Sequence, residues 1–253
     1  MLALQVGHTP AAAGDTEAAF ARLDAAAGAY FGCDGGVAGL HPRRAWLLPD
    51  AAIALAVHAD GVVATARTTR GQALLDHPAL ATFRRRAGRG PDRPPLPALR
   101  AFLASFPPVP EAVLLGGLRF EAYRLAPGHA PADAAAPLGH LLFGLRHFRR
   151  DEDGRWQRID LAWPGMPADD APLPQPAALP APEPVDDFPE GGYATVVARA
   201  LAQLRERPLV SLTLSQSFRR RVPAGTAPSA VFAGLRRANP APATFFLHAA
   251  GER

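Results

Sequence analysis

At 253 residues, with 48% hydrophobic and 20% charged residues, the chain can fill one large domain or two small ones and is too apolar for wholesale disorder. Its formal net charge is only +4 and every basic residue is Arg, whose very high pKa lifts the pI to about 10.1, so basicity here argues for no nucleic-acid partner. One cysteine, Cys33, excludes an internal disulfide; with no basic-then-apolar leader and no apolar run near the ~18 residues of a membrane span, a cytoplasmic protein with no membrane contact is expected.

Asp15 or Thr16 is expected to cap a first helix with Phe20, Leu23 and Ala27 facing inward. Residues 30–39, YFGCDGGVAG, read as a glycine-rich loop. Gly32, Gly35 and Gly36 lack the preceding strand, following helix and Lys of a phosphate-binding loop. Between 51 and 67, Ile53, Leu55 and Val57 alternate, Asp60-Gly61 supplies a turn and Val63 begins the return, which predicts a hairpin. Residues 87–97 read as a basic, proline-broken loop. A helix over 97–106 follows, with Leu99, Phe102, Leu103 and Phe106 on one stripe. Strands are expected within 111–118 and 138–148, then a second hairpin turning at Asp153-Gly154 with Ile159, Leu161 and Trp163 on its return. The two hairpins predict an α+β fold of layered, mostly antiparallel sheets with helices outside.

Residues 164–184 hold eight prolines, too many for sheet interior, and are expected to form an extended, unstructured connector. The boundaries that follow are a β-rich region over 1–163, a linker over 164–185 and a second region over 186–253. That second region opens on a helix whose stripe is Tyr193, Val196, Val197, Ala200, Leu201 and Leu204. Leu209 to Phe218 alternates as a half-buried strand. A helix from Pro228 should carry Val231, Phe232 and Leu235 inward and end at Asn239-Pro240, and Thr244 to His248 should be a strand.

Candidate chemistry is sparse. Arg84, Arg85, Arg86 and Arg89, and again Arg219, Arg220 and Arg221, lack interleaved aromatics and read as solvated edges. His140 and His147, the nearest histidine pair, should face opposite sides of one strand, and no metal-ligand spacing occurs. Cys33 has no identified base and reads as a small buried residue; Asp151, Glu152 and Asp153 read as a turn. Ser215 has no nucleophile elbow around it.

Tyr193-x-x-Val196-Val197, then Leu214-Ser215-Gln216-Ser217-Phe218, then Leu235-Arg236-Arg237-Ala238-Asn239-Pro240-Ala241-Pro242 together resemble the chorismate-utilising enzymes, closest to the large component (component I) of anthranilate synthase. The resemblance covers about the last sixty residues. It departs at Arg207-Pro208, where the family has Gly-Asp, at Ser211 for Gln, and at Ala243 for an aromatic. It implies an anthranilate synthase component I-like fold, incomplete at its C-terminus, and a lyase of tryptophan biosynthesis. That enzyme converts chorismate and ammonia to anthranilate and pyruvate with Mg2+, the ammonia coming from a glutamine amidotransferase subunit or domain. The family's magnesium-binding acids have no counterpart at any matched position, so no catalytic or metal residue is assigned, and the chain is expected to bind no cofactor and to be inactive alone. The family's tryptophan-inhibitor pocket carries over onto Pro242, Ala243 and Thr244 and onto Phe31-Gly32-Cys33, with Cys33 in place of a serine. An aminodeoxychorismate synthase-like sibling and a degenerate, non-catalytic paralogue or fragment are the alternatives.

Overall fold

A computed structural model describes residues 1–33, 35, 43–119, 122, 136–174, 186, 188–207, 211–215 and 223–249. In chain order the elements are β1 (Gln5–Pro10), α1 (Ala13–Arg22), β2 (Gly28–Gly32), β3 (Ala45–Leu48), β4 (Ile53–His58), β5 (Gly61–Ala66) and α2 (Thr69–Asp76). A 3-10 turn (Pro78–Leu80), α3 (Ala81–Arg86), β6 (Gly88–Arg89), α4 (Pro95–Leu103), β7 (Leu114–Leu118), β8 (Gly139–Phe143), β9 (Arg146–Arg150) and β10 (Trp156–Ala162) follow. The last elements are α5 (Gly192–Glu206), α6 (Pro228–Ala238) and β11 (Thr244–His248). None of these helices is long and apolar enough to cross a membrane.

Two compact units divide the chain: Met1–Leu179 together with Ala227–Arg253, and Pro180–Thr226. Helix α6 and β11 thus fold with the front of the chain. In the first unit a six-stranded sheet runs β1-β10-β9-β3-β2-β11 and a five-stranded sheet β6-β5-β4-β8-β7, with every pair antiparallel. The fold is α+β with antiparallel sheets, as the hairpins predict.

Three apolar clusters define the layers. Alternation along β2 sends Ala29 one way and Tyr30 the other. Ala29 and Leu48 of the six-stranded sheet meet Ala54, Leu115 and Leu142 of the five-stranded sheet between the two. Tyr30, Leu47 and Phe148 lie on the other face, under Ala19 and Leu23 of the α1 segment and Phe232 of α6. The largest cluster packs Ile53, Leu55, Val62 and Phe143 against Leu74, Phe83, Ala98 and Phe102 of α2 to α4, and takes in Ile159, Leu161 and Trp163 of the β10 return. Phe102 is fully buried, with edge-on contacts to Phe83, Phe106 and Phe143 at ring separations of 5.1, 5.4 and 5.4 Å.

Several expectations shift by a residue or a face. The first hairpin pairs His58 with Gly61, so the turn is Ala59-Asp60 and Gly61 begins β5. A Cβ on Gly61 would lie 1.8 Å from the Gly88 carbonyl oxygen, which is why only glycine lets β6 approach. Helix α1 starts before Asp15, whose carboxylate reaches back to the Ala12 N–H at 2.9 Å rather than capping from outside. Residues 138–148 form two strands in different sheets, because the chain crosses at Gly144, where a Cβ would meet Leu48 Cδ1 at 1.9 Å. Leu103 of α4 and Val231 and Leu235 of α6, expected inside, face outward at 48%, 47% and 61% exposure. The expected loop over 30–39 begins as strand β2; residues 34 and 36–39 lie outside the described residues. Nor are residues 164–174 an unanchored connector: Met166 and Leu173 pack on the main core and the backbone runs bonded beside residues 67–69.

The second unit contains α5, entered through Gly191 in the left-handed region at φ 73°, with Phe188 ring-packed on Tyr193 at 5.7 Å. Residues 211–215, the described part of the strand expected over 209–218, are in no strand; the remainder lies outside the described residues. Among the described residues no strand pairs with this stretch, and alternation alone does not make a strand.

Candidate functional site

The residues carried over from the resemblance lie more than 200 positions apart in sequence, and the fold joins them. β11 pairs antiparallel with β2 in the register Thr244↔Gly32 through His248↔Gly28. Beyond the strands the two segments stay adjacent, with the Gly35 N–H donating to the Ala241 carbonyl at 2.9 Å. Cys33 and Ala243 lie next to the terminal Gly32–Thr244 pair, where the Thr244 hydroxyl donates to the Gly32 carbonyl at 3.1 Å. Pro242 and Ala243 are exposed, Thr244 is half-buried and Cys33 is buried.

Cys33 is held at every polar atom. Its N–H donates to the Arg44 carbonyl at 3.0 Å, its carbonyl accepts from Arg150 Nη2 at 2.8 Å, and its thiol points at the Gly35 carbonyl oxygen at 2.8 Å. A carbonyl oxygen only accepts, so the thiol proton is directed there and not toward an incoming ligand. Arg150 in turn lies over the Trp156 ring at 5.7 Å. Glycine at 32 follows from packing, since a Cβ there would stand 2.8 Å from the Ala45 side chain.

The α6–β11 segment is fastened by three devices. Ser229, in the first turn of α6, donates its N–H to Asp24 Oδ1 at 2.7 Å and its hydroxyl to Asp24 Oδ2. Helix α6 has Ala227 at its N-cap, without a side-chain cap bond, and no acid in its own first turn. The Asp24 carboxylate thus meets both the orphan donors and the positive end of the helix. His248 Nδ1 stands 2.8 Å from the Leu23 carbonyl, an arrangement that places the proton on Nδ1. On the outer face Arg236 lies over Tyr30, Phe20 and Phe232 at 4.3, 5.3 and 5.6 Å from their centroids, while Phe246 packs on Phe232 at 5.4 Å.

The opposite face at this end of the sheet is aromatic and open. Phe245, Phe31 and Trp46 are cross-strand neighbours; Phe31 and Trp46 lie 6.3 Å apart, and Phe245 and Phe31 are 73% and 46% exposed. The site can offer stacking surface and backbone hydrogen bonds. Its matched positions include no carboxylate, and among the described residues no group of three or more His, Cys, Asp or Glu could hold a metal ion.

Other candidates resolve to structural roles. His140 and His147 sit in different sheets, not on opposite sides of one strand. His147 is buried on β9, and burial, aided by Arg149 and His8 against the opposing pull of Asp160, pushes its pKa down to about 4. The acidic turn is tied by Arg155 to Asp151 and Asp153 and by Arg44 to Glu152. Arg84 donates to the carbonyls of Leu75 and His77 at the end of α2, and Arg89 pairs with Asp60 at 2.9 Å; Arg219 to Arg221 lie outside the described residues. Gly32 ends strand β2 and Gly35 donates its N–H to the Ala241 carbonyl, while Gly36 lies outside the described residues. Sequence reasoning missed Asp24, Arg150 and Arg236. An acid just past a helix and an Arg in a strand carry no signal of their partners, whereas Arg236 could have been found as the i+4 neighbour of Phe232.

The chain matches no family model, and no curated protein matches it.

Proposed function

We propose that this chain is the front portion of a cytoplasmic chorismate-utilising enzyme of the anthranilate synthase large-component type, and that it contributes the effector-side architecture. The observation that supports this reading is the β2–β11 pairing. The two motifs assigned to one inhibitor pocket, Phe31-Gly32-Cys33 and Pro242-Ala243-Thr244, need to be neighbours, and they meet at the end of the ladder where Gly32 pairs with Thr244. In such an enzyme chorismate and ammonia give anthranilate and pyruvate, with magnesium and a glutaminase partner supplying metal and ammonia. None of the matched positions provides a carboxylate, so in this reading the magnesium ligands are not drawn from them.

A second reading, a non-catalytic relative, is favoured by one observation. The Cys33 thiol is directed at the Gly35 carbonyl, and Ala243 offers no ring beside it, so the pocket lacks both its donor and its wall. The two readings separate in a fluorescence assay for anthranilate with chorismate, Mg2+ and ammonium. The chain alone should be inactive; mixed with the separately expressed catalytic half of an anthranilate synthase large component, it should restore turnover under the first reading and none under the second. Turnover by the chain alone would overturn both.

A further inference from the structure

The stretch after β10 is bonded in a way its composition does not foretell. After a turn through Gly165, at φ 83°, the backbone runs along the start of α2. Arg70 spreads its guanidinium over two successive carbonyls, Nε to Pro167 at 2.9 Å and Nη2 to Ala168, while its own N–H donates to Asp170 Oδ1 at 3.2 Å. The Thr69 hydroxyl donates to the Asp169 carbonyl at 3.1 Å and accepts from the Ala171 N–H at 3.0 Å. Two backbone bonds complete the row, Thr69 N–H to Ala171 at 2.9 Å and Leu173 N–H to Arg67 at 2.8 Å, and Thr68 and Pro172 form an isolated bridge.

This row is dense in hydrogen bonds and thin in burial. Residues 168–172 are exposed, and only Met166 and Leu173 touch the main core. Segments built that way open at lower free energy than the sheets they lie on. Pro164, Pro167, Pro172 and Pro174 keep the released chain extended, so little conformational freedom is gained on opening and little is lost on closing again. Prolines at 167 and 172 also leave no N–H to satisfy.

We propose that residues 167–173 are a strap latched by Arg70, which opens and closes as a unit while both sheets stay folded, and which thereby sets how much of the chain after β10 is tied down beside α2. Opening releases the seven residues 167–173, about 23 Å of extended chain at ~3.3 Å per residue.

Amide hydrogen exchange on the full chain tests this at the Ala171 and Leu173 amides, with the β4 amides as reference. In the wild type both strap amides should be protected, yet exchange faster than β4. Arg70→Ala, which removes two of the strap's bonds, should speed both at least about tenfold and leave β4 unchanged; Arg70→Lys, keeping one carbonyl contact, should fall between. Thr69→Val is the second variant if Arg70→Ala fails to fold, with the same expectation. Unprotected strap amides in the wild type, strap exchange that ignores both substitutions, or strap and β4 amides moving in step would each overturn the proposal.

Discussion

Replacing Asp24 by alanine removes the carboxylate that caps α6 from the end of α1 and leaves the Ser229 N–H and hydroxyl without their partner. Loss of an N-cap acceptor costs about 0.5–2 kcal/mol, and loss of a negative charge at a helix N-terminus about 0.3–1 kcal/mol. Asp24 is half-exposed, so water recovers part of this and about 1–2 kcal/mol is the fair sum. The cost falls on the docking of α6 and β11, not on the layers built by the other strands. Exchange of the β11 amides should then rise roughly 5- to 30-fold in Asp24→Ala, while β4 amides keep their wild-type rates. Asp24→Asn, which retains one acceptor and no charge, should lie between, and Ser229→Ala should have a smaller effect because the backbone N–H survives. If β11 exchange is unchanged in Asp24→Ala, the carboxylate does not fasten the segment. A parallel rise at β4 would mean that α6 and β11 do not open separately.

Three further outcomes follow from the same structure. His147 takes up its proton at about 4 when folded and near 6.5 when unfolded, so the unfolded state binds more protons between those values and stability falls as pH drops through that window. Urea unfolding should show about 2 kcal/mol lost between pH 7 and 5 beyond any change in His147→Gln, and equal losses in both proteins would refute the assignment. Tryptophan should not bind at physiological levels, because the missing donor at Cys33 and the missing ring at Ala243 each cost on the order of 1 kcal/mol or more; a micromolar dissociation constant by calorimetry would contradict this. β11 ends its sheet with Phe245 exposed and, among the described residues, no strand on its outer side. Phe245→Lys should therefore reduce concentration-dependent association in sedimentation velocity, and an unaltered profile would show that this edge is not what self-associates.

Much of the fold was legible because hairpins announce themselves locally. Alternation around Asp60-Gly61 and Asp153-Gly154 predicted four strands and their antiparallel sense, and the turn of the first was misplaced only because Gly61 serves the approach of β6. β2 was hidden by its glycines. At Gly28 a Cβ would meet Leu23 Cδ2 at 2.7 Å and at Gly32 the Ala45 side chain at 2.8 Å, so these residues mark close packing within a strand and not a loop. Helix α6 was found but turned too far, because an apolar stripe through Val231 and Leu235 ignored Arg236, whose guanidinium covers Tyr30 and rotates the helix toward Phe232. The strap on residues 67–70 was beyond composition: prolines forbid a sheet interior but say nothing of carbonyls, and Arg70 binds carbonyls. At the site, the residue pairings came from resemblance, while the contacts to the Cys33 backbone come from Arg44 and Arg150, which nothing local connects to it.

The proposed function stands on the meeting of two distant motifs, and Cys33 lets that be measured covalently. It is the one cysteine in the sequence, so Ala243→Cys creates a single possible intramolecular disulfide. Positions 33 and 243 lie next to the terminal Gly32–Thr244 pair, and opposed residues in an antiparallel pair have Cα atoms about 4.5–5.5 Å apart, within the range a disulfide spans. Under mild oxidation of the dilute variant, mass spectrometry without reductant should show a monomer lighter by the two thiol hydrogens, with peptides containing positions 33 and 243 linked. Free thiols, or disulfides only between separate chains, would contradict the pairing of β2 with β11 and remove the support for the proposed function.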